Sequence, residues 1–170
     1  TITPDSAWNG TANIKLFVSD GELSDSTLFS LTVGPINDAP IITPIANKFM
    51  EENSVFELDL ELTDIDTGEV LTVSAFSDTS AMVVTANSAD SSITAIPADD
   101  WNGTAQITVI VSDGDLTDTT SFALVVGPLN DAPVIIQVTS MNIDEDETLL
   151  LPVSFSDVDV FDELSLSAVV

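Results

Sequence analysis

The chain has 170 residues, and 29 acidic side chains against two lysines give a net charge of −27, with no Cys, His or Tyr. That excludes a disulfide scaffold, a zinc finger, a Cys nucleophile and a Ser-His-Asp triad, and with only Lys15 and Lys48 neither nucleic acid nor an anionic membrane is an expected partner. The 44% hydrophobic content argues against disorder, and the apolar runs are too short for a membrane span, which needs roughly 20 residues.

An internal repeat organises the elements. Trp8–Ala12 (WNGTA) returns at Trp101–Ala105, Val18–Asp25 returns as Val111–Asp118, and Gly34–Pro40 returns as Gly127–Pro133. Every offset is 93 residues without a gap, and about 32 of the 77 overlapping positions are identical, so the match is a true repeat. Cutting after each Asn-Asp-Ala-Pro divides the chain into 1–40, the end of one repeat; 41–133, a complete repeat; and 134–170, the start of a third. The chain is expected to be a segment of a longer tandem array, with neighbouring repeats as its first partners.

Taken in order, the complete repeat predicts strands at 45–50, 55–62, 70–77, 81–86, 91–96, 104–112 and 118–127. Phe56, Leu58, Leu60 and Leu62 alternate with Glu57, Asp59 and Glu61, and Leu71, Val73 and Ala75 alternate with Thr72 and Ser74. This is the period of a half-buried strand. Asp113-Gly114, Asp66-Thr67-Gly68 and Ala86-Asn87-Ser88 stand between such runs and are turn chemistries. No helical stripe appears. About seven strands per 93-residue repeat predict an all-β chain of tandem immunoglobulin-like Greek-key sandwiches.

The acidic and amide residues gather before the second strand (Glu51, Glu52), after it (Asp64, Asp66; Asp157, Asp159), before WNG (Asp5; Asp99, Asp100) and at the linkers (Asn37, Asp38; Asn130, Asp131). A solvated face is the plain reading of an acidic run. Turns of a sandwich collect at its two ends, however, and carboxylates about 4 Å apart repel by roughly 4 kcal/mol at an effective dielectric near 20. A divalent cation relieves such a cluster, and oxygen ligands without His or Cys select Ca2+, which accepts six to eight irregular oxygens.

These motifs resemble bacterial cadherin-like tandem repeats, of the VCBS-like and tandem-95 type found in large surface adhesins. The likeness is carried by Asn-Asp-Ala-Pro (Asn37–Pro40, Asn130–Pro133), Ser-Asp-Gly-x-Leu (Ser19–Leu23, Ser112–Leu116), Glu52 and Glu145, and the Asp-x-Asp pairs. The resemblance implies calcium at the junctions. Asn37, Asp38, Asp64, Asp66 and Asp113 would form the first, and Glu52, Asn130, Asp131, Asp157 and Asp159 the second. The triplet before the sixth strand, Asp-Arg-Glu-like in cadherins, is here Asp99-Asp100-Trp101, so one or two ions per junction are implied, with Asp99 and Asp100 as further ligands.

Other features have plainer readings beside functional ones. Trp8 and Trp101 read as packing residues before sugar platforms, and Asn9-Gly10 and Asn102-Gly103 read as turns before glycosylation sites. Paired carboxylates can serve a glycosidase, but a sandwich repeated in series offers no substrate cleft, so no enzyme is expected. The leading expectation is a secreted bacterial surface protein whose repeats form a calcium-stiffened extracellular stalk. The alternatives are a filament or sheath subunit completed by other copies of the chain, and a carbohydrate-binding module.

Overall fold

The computed structural model describes residues 1–159 and 162–169. Its regular structure is entirely strand: β1 (Gly10–Ser19), β2 (Ser24–Val33), β3 (Ile41–Ile42), β4 (Lys48–Glu51), β5 (Phe56–Asp59), β6 (Leu62–Thr63), β7 (Thr72–Ser77), β8 (Met82–Asn87), β9 (Ser92–Pro97), β10 (Gly103–Ser112), β11 (Thr117–Gly127), β12 (Val134–Ile135) and β13 (Phe155–Ser156). The expected all-β class holds.

Within residues 41–127, two sheets form a Greek-key sandwich. One has the order β4-β11-β10-β7 and the other β5-β9-β8. The alternation seen in the sequence supplies the filling. Ile107, Val109 and Val111 of β10 and Phe122, Leu124 and Val126 of β11 are all buried, facing Ile93 and Ala95 of β9 and Met82 of β8. Phe122 meets Phe56 of the opposite sheet with ring centroids 6.4 Å apart. Burial of this apolar face holds the layers together, each fully buried side chain contributing about 1.5–3 kcal/mol.

The first two expected strands differ from the observed ones. Of 45–50 only 48–50 is strand, in β4, which runs parallel to β11, and a short strand not expected there, β3, precedes it and pairs with β6. In place of 55–62, β5 pairs with β9 and the chain then leaves that sheet at Leu60, whose N–H bonds to the Ser91 carbonyl, before β6 joins β3. Local alternation continues through Leu60 and Leu62 because both remain inward, so periodicity alone could not reveal that the hydrogen-bonding partner changes.

The flanking segments repeat pieces of this sandwich at the same 93-residue offset. β1 pairs with β2 from Gly10↔Val33 to Ser19↔Ser24, as β10 pairs with β11 from Gly103↔Val126 to Ser112↔Thr117. Likewise Val134↔Ser156 repeats Ile41↔Thr63.

Two contacts fix which groups lie at which end of the sandwich. The Glu52 N–H bonds to the Gly127 carbonyl, so Glu52 stands where the chain leaves β11. The Ile42 N–H bonds to Asp118 Oδ2, so the start of the repeat stands beside the β10–β11 turn.

Candidate metal centres at the two linkers

The linker before β3 runs through Asn37 and Asp38. The Asp38 N–H donates to Asp66 Oδ2 at 2.7 Å, and the Asp66 N–H donates to Asp64 Oδ1 at 2.9 Å. The Asn37 side-chain amide reaches Asp113 Oδ2 at 3.0 Å. All five residues expected at the first junction are therefore connected through hydrogen bonds. Asp64 Oδ2 is buried and has no partner among the described residues.

Asp113 first builds the turn that Asp113-Gly114 implied. Its Oδ1 accepts the N–H groups of Asp115 and Leu116, both at 2.7 Å, and its Oδ2 accepts Asn37. The Leu116 N–H, then Asn37 and the Asp115 N–H, hold its carboxyl below the usual carboxylate range. Asp20 makes the same turn with Glu22 and Leu23 and is likewise held low, chiefly by Leu23. Asp113 is a turn-builder that also tethers the linker.

The second linker repeats the motif. The Asp131 N–H donates to Asp159 Oδ2 at 2.7 Å, and the Asp159 N–H to Asp157 Oδ1 at 3.0 Å. Glu52 closes this seam from the preceding repeat. Only 2% exposed, its carboxylate accepts the Leu129 N–H at 2.5 Å and the Asn102 side-chain amide at 3.2 Å. A cleft of about 390 Å³ opens here, lined by Glu52, Asp100, Asn102, Asn130, Asp159 and Asp162, among others. Burial raises the Asp131 carboxyl above its usual range, reinforced by the charges of Asp100, Asp159, Glu52 and Asp157. Asp131 Oδ2 and Asp157 Oδ2 are buried without partners among the described residues.

The donor set suits a hard cation: oxygens alone, uncompensated charge, and buried carboxylate oxygens facing no N–H. No group of three or more acidic side chains among the described residues already converges in a form that could hold an ion. Asp100 is reached through its neighbour Asn53, which exchanges two 3.0 Å hydrogen bonds with it. Asp99 is exposed, and among the described residues no hydrogen bond draws its side chain toward the linker.

Three polar residues at these ends were not anticipated. Asn102 holds Glu52, Asp162 lines the cleft, and Asp118 receives the Ile42 N–H. Asn102 was legible only as a turn residue beside Gly103, and its bond to Glu52 spans 50 positions. Trp101 is half-buried against the core, with its ring over Gly103, as the packing reading expects.

A family model described as a cadherin-like domain matches residues 36–127. Among solved structures, EC1-2 of human protocadherin-24 is 18% identical over 69% of this chain and 67% of that one, with a TM-score of 0.46. Domains 4 and 5 of the S-layer protein SbsC are 16% identical over 69% of this chain and 58% of that one, with a TM-score of 0.42. An endo-fucoidan hydrolase of glycoside hydrolase family 107 is 20% identical over 73% of this chain, with a TM-score of 0.42, and the chain spans 20% of that hydrolase's length. No curated protein matches the chain.

Proposed function

The chain belongs to the cadherin-like domain family, and on that premise we propose that it is a non-catalytic segment of a bacterial surface adhesin, of the tandem-repeat type, exported from the cell. Its work is mechanical. Calcium bound at the linkers turns a string of sandwiches into a stiff extracellular spacer.

The observation that carries this reading is the recurrence of one arrangement at both linkers: an Asp-x-Asp turn, an Asn-Asp linker, and a buried first-aspartate oxygen with no partner. Buried carboxylate oxygens without a donor are costly, and two copies in one chain point to a shared use. At the second linker, Asp131 and Asp157 would be the principal ligands, with Asp100, Asp159, Glu52 and Asn130 around them. At the first, Asp64 and Asp38 would lead, with Asp66 and Asn37 beside them. A bound divalent ion supplies the positive charge that these residues lack.

Extracellular calcium sites have Kd values of ~10⁻⁴–10⁻³ M, and a hundredfold excess of ion stabilises the bound form by about 2.7 kcal/mol per site. That is comparable with much of the stability of a ~90-residue domain. Repulsion among the acids opposes order at the linkers when calcium is removed, while the apolar core of residues 41–127 keeps its sandwich folded.

Calorimetric titration of the chain with calcium is expected to show saturable binding that Asp131→Ala weakens. EGTA is expected to lower the melting temperature and raise the radius of gyration in solution scattering. Absence of all three effects sinks the proposal. A second reading is a filament or sheath subunit, in which other copies of the chain pack against the segments flanking the complete repeat. Sedimentation in the same experiment separates the two, since a spacer stays monomeric with calcium and a filament subunit grows.

A further inference from the structure

The two aspartates of each Asp-x-Asp do different things. The first, Asp64 or Asp157, uses Oδ1 to cap the turn and leaves Oδ2 buried and unpartnered. The second, Asp66 or Asp159, gives Oδ2 to a backbone N–H of the linker, at 2.7 Å in both places.

The register explains why that bond forms. β3 and β6 pair as Ile41↔Thr63 and Ile42↔Leu62, and the line continues inward through the Thr43 N–H on the Glu61 carbonyl. Three residues outward on the same register stand Asp38 and Asp66. Pro40 lies between Asp38 and β3 and has no N–H, so the backbone ladder cannot continue through it. The Asp66 carboxylate resumes the ladder beyond the proline. Pro133 interrupts β12–β13 in the same way, and Asp131 and Asp159 occupy the same register beyond Val134↔Ser156.

We infer that Asp66 and Asp159 are positioning residues that latch each linker onto the following repeat by a hydrogen bond needing no metal. At the second linker the chain is gripped from both sides. Glu52 of the preceding repeat holds the Leu129 N–H, and Asp159 of the following one holds the Asp131 N–H. Between those two anchored amides lie only the φ and ψ of Leu129 and Asn130, so ion-free bending is confined to these four dihedrals. Calcium then acts on a linker whose approach is already set. This deepens the seam described above, but it rests on the hydrogen-bond geometry and not on an ion.

Amide hydrogen exchange on the 170-residue chain in EGTA tests the latch. After correction for intrinsic rates, the Asp38 and Asp131 amides are expected to exchange roughly tenfold or more slowly than Asn130, since a hydrogen bond to a charged group shifts a local opening by about that factor. Asp159→Ala is expected to abolish protection at Asp131 and spare Asp38, while Asp159→Asn, which keeps a side-chain oxygen acceptor, retains most of it. Asp66→Ala is the converse control. Undiminished protection in β10 and β11 reports an intact sandwich in each variant. Free exchange of Asp131 in the ion-free wild type overturns the latch, as does equal loss in the Asn and Ala variants. Protection in EGTA without calcium binding keeps the latch and removes the calcium reading; protection only with calcium does the reverse.

Discussion

Asp113 and Asp131 carry the same carboxyl group in opposite settings. Asp113 accepts N–H donors with both oxygens and is held low, whereas Asp131 has a buried, unpartnered oxygen among four carboxylates and is pushed up. The signs of their linkage to folding follow. A lowered folded pKa stabilises the fold above the unfolded value, near 3.9, and that contribution is lost as pH falls through the folded value. A raised one does the opposite: ionised Asp131 opposes the seam increasingly as pH rises from the unfolded value through the folded one. Carboxyl carbon NMR titration in EGTA should therefore place Asp113 and Asp20 below, and Asp131 above, an ordinary aspartate. Saturating calcium should pull Asp131 down, and an Asp131 titration indifferent to calcium would count against its role as a ligand.

Among the elements, β10–β11 and β1–β2 form a natural experiment, since residues of the same type occupy the same register in different surroundings. Phe122 is 1% exposed against Phe56, and its counterpart Phe29 is 40% exposed. Truncating a buried Phe costs about 3–5 kcal/mol, from lost transfer energy and the remaining cavity. Phe122→Ala should thus lower the melting temperature of the sandwich by many degrees, and Phe29→Ala should leave that transition nearly in place. Equal effects would mean that β1–β2 is packed as tightly as β10–β11.

For the whole molecule, the two seams share a plan but differ in charge. The counterpart of Asp100, 93 residues earlier, is Ala7, and both adopt a left-handed backbone, with φ of 55° and 59°. The same bend thus presents a carboxylate to the second seam and a methyl group to the first. Calcium titration should resolve two classes of site, with Asp100→Ala weakening the second seam and leaving the first. Terbium luminescence on that variant checks the assignment, and a uniform loss at both seams would refute it. A net charge of −27 adds self-repulsion within the chain, which calcium at the seams would reduce.

The 93-residue repeat, the strand-rich class and the residues gathered at each linker were all legible in the sequence, because repetition and period-two alternation are local properties of a chain. All seven expected strands in the complete repeat begin or end within two residues of an observed one, and the segment 55–62 departs only in its interior, where the chain changes sheets without breaking its alternation. What tertiary structure alone decided is the use of each oxygen. Asp64 and Asp66 are two positions apart and chemically identical, yet Asp64 caps its own turn with one oxygen and leaves the other without a donor, while Asp66 holds a linker amide 28 residues away. Asp113, read first as a turn residue and second as a ligand, also reaches across to the side-chain amide of Asn37 in the linker, and Asn102, read as a turn residue, supports a buried Glu52. Hydrogen-bond partners are assigned by strand register and by which ends of the sandwich meet, and those are long-range relations that no local pattern of residues encodes.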